Sequence, residues 1–330
     1  MEQWVDAQGK SFKGEPAQAL GPLALFRSPN GGGRLLPFGQ LSTPDCLRFA
    51  GQLRSTPAPA ADWSRTGTEL GAEFPGNVLR VAGDALKPAE LKGRPEPKLY
   101  VLFFVSSGEG RSWEVLGRCG WRLHELQKRY PHAVEGLMFG LKHGSLDHRN
   151  MAVQMKVPFL VADFAEQPKM RAVLALVPAA GFGLVVCDPN GVPLFVSQVE
   201  TDEAAQALMA EVGNILEVIR PDNPKGWNDS EHFWKTAQPV LHAGDRCEPL
   251  LVGDPLNALK LRELGVESFE AAIDVSAEGD VTGVAIAPGA ACPPDLLEPI
   301  AQALHQARLV PAVDHGRFVA GSHRYRFGGY

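Results

Sequence analysis

Leu99-Tyr100-Val101-Leu102-Phe103-Phe104-Val105 is an apolar run of strand length, and its reading decides the fold. A strand that is apolar on both faces must be covered on both, which points to a sheet buried between helices. The run opens into the turn Ser106-Ser107-Gly108-Glu109-Gly110-Arg111, then into a stretch with Val115, Leu116, Cys119, Trp121, Leu123 and Leu126 spaced for an amphipathic helix. Strands and helices go on alternating: Val134 to Leu141, Phe159 to Ala162 and Gly183 to Cys187 read as strands. Asp188-Pro189-Asn190-Gly191 is a hairpin turn leading into Val192 to Val196. Thr201 is placed to cap a closing helix through Ala204, Leu208, Val212, Ile215 and Leu216, with Asp202 and Glu203 at its positive end.

Upstream the pattern is different. Glu2 to Asp6, Ser11 to Ala17, Leu23 to Ser28 and Arg34 to Phe38 read as short strands separated by Gly and Asn turns. Ser42 and Pro44 then start a short helix, so residues 1–55 read as a small barrel. Ser55-Thr56-Pro57-Ala58-Pro59-Ala60-Ala61 suits a semi-extended spacer, and 56–74 is taken as a linker to an α/β domain over 75–222. Pro221-Asp222-Asn223-Pro224 breaks the last helix, and 223–258 reads as an irregular connector with Trp227, Phe233 and Trp234. Residues 259–330 read strand, turn, strand, helix, strand: Phe269 to Val275, Val281 to Ile286, Pro294 to about Arg308 and Arg317 to Phe327. The expected class is α/β and α+β, multi-domain.

Composition narrows the function classes. Among 330 residues, 45% are apolar, enough to bury real cores, and no apolar run approaches the ~18 residues a membrane helix needs. A net charge of −6 provides no global basic field for a phosphate backbone, so nucleic acid is not an expected partner. The five cysteines, Cys46, Cys119, Cys187, Cys247 and Cys292, form no CxxC pair, which excludes a zinc ribbon and a vicinal dithiol. Met1-Glu2-Gln3-Trp4 has neither a basic nor an apolar leader region.

The middle segment resembles the thioredoxin superfamily in its redox-enzyme and thiol-peroxidase branch. The residues that carry this are the strand Leu99 to Val105, the helix from about Arg111, the strand ending in Cys187-Asp188-Pro189-Asn190-Gly191 and the terminal helix. In active members a CxxC follows the paired aromatics of the central strand, where the helix dipole acidifies a thiolate. Counted from Phe103-Phe104, that place is held by Gly108, Glu109, Gly110 and Arg111. The proline expected to face the dithiol is replaced by Gly181, with Pro178 three residues away. The resemblance thus implies a frame whose redox site is erased twice.

The C-terminal segment resembles the C-terminal domain of TonB-type energy transducers, through Ile273-Asp274-Val275-Ser276-Ala277-Glu278-Gly279-Asp280-Val281 and Val310-Pro311-Ala312-Val313-Asp314-His315-Gly316-Arg317-Phe318-Val319. The N-terminal segment resembles the SLA1 homology domain 1, an SH3-like barrel, through Trp4-Val5-Asp6-Ala7-Gln8-Gly9-Lys10-Ser11-Phe12 and Leu36-Pro37-Phe38-Gly39-Gln40-Leu41-Ser42-Thr43-Pro44-Asp45. Together these resemblances imply a non-catalytic binding or scaffold protein that uses sheet edges for a protein partner or for self-association, with no cofactor. They imply a periplasmic or extracellular location if a signal peptide has been removed, and a cytoplasmic one otherwise.

The candidate site residues are few. Cys119, on the apolar face of its helix, reads as a core cysteine; the alternative is a single-cysteine thiol peroxidase or reductase, needing Arg118 or Arg122 to lower its pKa. Cys187 reads as core, and Cys247 and Cys292 could form a disulfide. His143, Asp147 and His148 lie on what reads as a loop, as a solvated segment or as three ligands of a metal. Glu109 and Arg111 could bind a partner through charge, or pair with each other. His315 and His323 read as surface, and Ser106 and Ser107 lack the context of a hydrolase nucleophile.

Overall fold

The computed structural model describes residues 1–5, 10–41, 43–53, 56–106, 108, 110–141, 144–199, 201–220, 248–252, 255–256, 259–314 and 317–328. These fall into two compact units, one drawn from 1–2, 13–35 and 55–224 and the other from 3–12, 36–54 and 225–330. At the N-terminus, β1 (Glu2–Val5), β2 (Ser11–Leu20), β3 (Leu23–Arg27) and β4 (Gly33–Pro37) line up in that order in one sheet, followed by α1 (Thr43–Leu53).

The first unit is built on a seven-stranded sheet. Its strands are β5 (Val78–Ala82), β6 (Ala85–Pro88), β7 (Leu99–Val105), β8 (Val134–Gly140), β9 (Leu160–Ala162), β10 (Gly183–Cys187) and β11 (Pro193–Ser197), in the order β11-β10-β7-β8-β9-β5-β6. The central β7, β8 and β9 are parallel, while β10, β11 and the β5–β6 hairpin run antiparallel to their neighbours. As the apolar run requires, β7 is buried throughout. Leu99, Val101, Phe103 and Val105 enter one core, and Tyr100, Leu102 and Phe104 enter the other.

The first core is closed by α2 (Gly110–Arg129) and α5 (Asp202–Val218); α3 (Ser145–Gln154) and the single turn α4 (Arg171–Leu174) come between them in the chain. Val115, Leu116, Cys119 and Leu123 of α2 meet Ala205, Leu208, Val212 and Leu216 of α5 there. Phe103 stacks on Phe159 with ring centroids 4.8 Å apart. Gly136 makes this close packing possible, since a Cβ on it would sit 2.6 Å from Phe159 Cγ and 2.7 Å from Leu123 Cδ2. Trp121, expected on the inner face of α2, is instead 66% exposed. It lies five residues past Leu116, about 140° around the helix and off the 116-119-123 stripe.

Thr201 caps α5 as expected, its hydroxyl accepting from the Ala204 N–H at 3.1 Å. Thr201→Ala is expected to cost about 1 kcal/mol of unfolding free energy in urea titrations.

Residues 13–35, read from the sequence as part of a separate barrel, count with this unit. Ala17 and Leu20 of β2 and Leu23 and Leu25 of β3 join the same core as β7. The linker reading of 56–74 is corrected more sharply. Trp63, Leu70 and Phe74 are buried at 1% exposure or less, and with Tyr100, Leu102 and Phe104 they build the second core. Trp63, Phe74 and Tyr100 pack edge-on or tilted, with centroids 4.9 to 5.7 Å apart. Three large apolar groups spaced through a short segment favour docking over extension, and the Pro and Ala residues shape only its start.

In the second unit, Trp4, Phe38 and Phe49 form an aromatic cluster with edge-on contacts of 5.5 and 6.3 Å, and the Arg48 guanidinium lies 3.8 Å from the Trp4 ring centroid. Farther along the chain, β13 (Phe269–Val275) is flanked by β14 (Val281–Ile286) and β18 (Gly321–Phe327), all antiparallel. Alternation on β13 sends Phe269, Ala271, Ile273 and Val275 inward, where they meet Ile300 and Leu304 of α6 (Leu297–His305). Two short pairs, β12 (Leu250–Val252) with β15 (Arg308–Val310) and β16 (Ala312–Asp314) with β17 (Arg317–Val319), complete it. The strands and helix expected over 269–308 are present; the return strand expected over 317–327 is two strands. Trp227, Phe233 and Trp234 lie outside the described residues.

Candidate functional site

The C-terminal end of β7 turns through Ser106 and Gly108 into α2, which begins at Gly110. The Ser106 N–H donates to Ser112 Oγ at 2.9 Å, and both residues are buried, so a hydroxyl from the first turn of α2 ties down the end of the strand. Gly108 and Gly110 are exposed, and a Cβ built on either would meet nothing within 4 Å. There is room for a reactive side chain, and glycine offers none. Glu109 lies outside the described residues, and Arg111 is a helical residue of the first turn of α2. Gly181 has a left-handed φ of +78° and closes a turn by donating its N–H to Pro178 O at 2.8 Å.

Cys119 sits about two turns into α2 and is fully buried. Burial pushes its thiol up to about 11, outweighing the opposite pull of Arg122 and Arg118. Arg118 is already engaged, with Nε 2.8 Å from Asp202 Oδ1 and Nη2 3.3 Å from Glu114 Oε2. Cys187 ends β10, fully buried, and its thiol is raised well above the ordinary value by burial and by the neighbouring Asp188. Cys292 is partly buried with Sγ 3.4 Å from Pro293 O, and burial and Asp295 raise its thiol. Cys247, the other half of the expected disulfide, lies outside the described residues.

The loop reading of residues 142–149 is corrected from Ser145 on. Helix α3 (Ser145–Gln154) carries Asp147 outward and exposed, and His148 inward and 2% exposed with Nε2 3.0 Å from Ala162 O. Consecutive helical residues point about 100° apart, so these two side chains diverge where a metal would need them to converge. His143 lies outside the described residues, and among those described no three His, Cys, Asp or Glu groups are placed to hold a metal.

Three buried carboxylates carry no motif signal in the sequence: Asp188 stands there as a turn residue only, and Glu96 and Glu135 belong to no motif. Asp188 heads the β10–β11 turn: its Oδ1 accepts from the Val192 N–H at 2.6 Å, while Oδ2 is buried without a hydrogen-bond partner. Burial lifts its pKa to about 7 against the downward pull of the Val192 N–H and the Arg27 charge. Glu96 and Glu135 are each 3% exposed. The available signal was a lone acidic residue within or beside an apolar strand, since a buried charge needs partners.

No protein-family model matches the chain, and no curated protein matches it. Among solved structures it is similar to the bacterioferritin comigratory protein of Xanthomonas campestris, described for alkyl peroxide reduction, at 14% identity over 46% of this chain and 98% of that one, with a TM-score of 0.32. A thiol:disulfide interchange protein DsbE from Chlorobium tepidum shares 17% identity over 36% of this chain and 80% of that one, with a TM-score of 0.30. Tryparedoxin I of Crithidia fasciculata shares 16% over 49% and 99%, also with a TM-score of 0.30.

In the seven-stranded sheet α2 follows the central strand β7, and β10 and β11 run antiparallel beside it. The site at the end of β7 is a strand-to-helix turn in which exposed glycines stand at 108 and 110, around the start of α2.

Proposed function

We propose that this chain is a binding or scaffold protein that keeps a thioredoxin-like frame without its thiol chemistry. The observation that supports the reading most directly is Cys119, fully buried with a thiol near 11. A nucleophilic cysteine needs the thiolate and access, and this one has neither at neutral pH.

In this reading the rest of the chain supplies further interaction modules: an SH3-like barrel of the SLA1 homology type at the N-terminus and a TonB-type module at the C-terminus. Among the described residues the sheet β14-β13-β18 has β14 and β18 as its outer strands, and a strand edge accepts an added strand through main-chain hydrogen bonds. A protein partner or a second copy of the chain would dock there. The location proposed is extracytoplasmic.

Thiol alkylation followed from pH 6 to 11, alongside hydrogen peroxide consumption, tests the loss of thiol chemistry. The expected result is no peroxide turnover, with Cys119 modified only once the protein unfolds. Rapid alkylation of Cys119 at pH 7 with peroxide consumed would establish the single-cysteine enzyme instead.

A further inference from the structure

A second feature lies at the opposite end of the parallel strands. β7 and β8 run in register from Leu99↔Val134 to Val105↔Gly140, and Gly108 follows their C-terminal end. At their N-terminal end, about 20 Å away at strand rise, is a cleft of about 250 Å³. Glu135 forms part of its lining. Its Oε1 accepts from Gln127 Nε2 at 2.6 Å and from the Gly136 N–H at 3.1 Å. Its Oε2 lies 2.5 Å from Arg80 Nη2 and 3.4 Å from Arg94 Nη2. Both arginine side chains are 32% exposed.

The charge count leaves a surplus. One guanidinium neutralises Glu135, and a second stands beside it. Lys128, also in the lining, is matched by Glu125 at 2.8 Å. Glu135 is the one carboxylate among the described lining residues, while His124 and His132 add two more groups able to donate. Trp63 lines the cleft too, and its indole N–H is buried with no acceptor. An orphaned buried donor costs about 1–3 kcal/mol and calls for an explanation. His132 holds a left-handed φ of +63°, strain that a non-glycine residue retains only where its surroundings enforce it. The cleft therefore offers guanidinium and imidazole donors, with its single carboxylate already engaged, and Pro95, Pro97 and Pro131 add apolar wall.

We propose that this cleft binds a small organic phosphate, its oxygens held by Arg94, Arg80 and the His132 imidazole and its carbon body lying against the prolines. Two guanidinium forks present more N–H donors than Glu135 takes up, which suits a tetrahedral anion with several acceptor oxygens better than a carboxylate with two. The site needs no thiol and is separate from the reading above, so either can fail without the other.

Titration calorimetry of the full chain with phenyl phosphate, inorganic phosphate and benzoate tests it. Saturable binding of phenyl phosphate is expected, tighter than either of the others. Arg94→Gln should weaken it about tenfold or more, the loss of one charged hydrogen bond. His132→Gly, in which glycine suits the left-handed backbone, should fold at least as well as the parent and bind a few-fold more weakly, so the test survives if Arg94→Gln misfolds. Absence of saturable phenyl phosphate binding, undiminished affinity in a folded Arg94→Gln or His132→Gly, or equally tight benzoate would overturn the proposal.

Discussion

Glu96→Ala is expected to lower the unfolding free energy by about 4 kcal/mol, because one carboxylate satisfies several donors at once in a nearly dry place. Glu96 Oε2 accepts from the Ala60 N–H at 3.0 Å and from the Thr66 hydroxyl, and Oε1 accepts from the Thr68 hydroxyl and from Tyr100 OH at 3.3 Å. Alanine would strand these donors, at about 1–3 kcal/mol for each that water cannot reach. Thr66 can turn to solvent, which keeps the sum toward the low end, whereas Thr68 is 0% exposed and Tyr100 is buried on the sheet. Gly71 shows how tightly the carboxylate is held, since a Cβ there would overlap Glu96 Oε1. The effect should be local as well as global: amides from 60 to 74 should lose hydrogen-exchange protection before those of β7. Glu96→Gln keeps the shape and two acceptor sites and should cost about half as much. A urea midpoint unchanged in Glu96→Ala would show that the hydrogen bonds to this carboxylate contribute nothing to holding segment 56–74 in place.

That segment also shows where sequence reading stops. Continuous or alternating apolar patterns carry their own partners, so β7, the β13–β14 hairpin and the inner face of α5 were legible from spacing alone. The turn at Asp188 was legible for a similar reason, because Asp-Pro-Asn-Gly specifies local backbone geometry: Gly191 has φ +71° and donates its N–H to Asp188 O at 3.0 Å. Glu96 is different. Its partners Ala60, Thr66, Thr68 and Tyr100 lie on both sides of it in sequence, and none announces that it will be buried. The same holds for Glu135, whose arginines come from positions 80 and 94, and for His148, whose acceptor is the main chain of β9. Within 143–149 the histidines and aspartate looked like a ligand set because residue type was legible and direction was not. For the candidate site, the lack of a thiol at 108–111 could be read by counting from Phe103-Phe104. The inaccessibility of Cys119 could be read only as an expectation from its helical stripe.

Asp188 gives the second large effect, and its sign runs opposite to that of an ordinary ion-paired carboxylate. The unfolded chain releases this proton near the usual 3.8, while the folded protein holds it to about 7, chiefly because the carboxyl is buried. Below pH 3.8 both states are protonated and the group contributes nothing to the pH dependence. Between about 4 and 7 the folded state binds the extra proton, so stability falls by about 1.4 kcal/mol per pH unit as pH rises. Above 7 both states are ionised, and a constant penalty of about 4 kcal/mol remains for a buried charge whose Oδ2 has no hydrogen-bond partner. Asp188→Asn keeps an acceptor for the Val192 N–H, removes the charge and cannot titrate. The variant should therefore match or fall slightly below the parent at pH 4 and exceed it by up to about 4 kcal/mol at pH 8, less whatever the extra amide donor costs for want of an acceptor. Urea unfolding of both proteins from pH 4 to 9 reads the difference directly. A variant whose advantage is the same at pH 5 and pH 8 would mean that Asp188 ionises as freely in the folded protein as in the unfolded chain, with water reaching Oδ2.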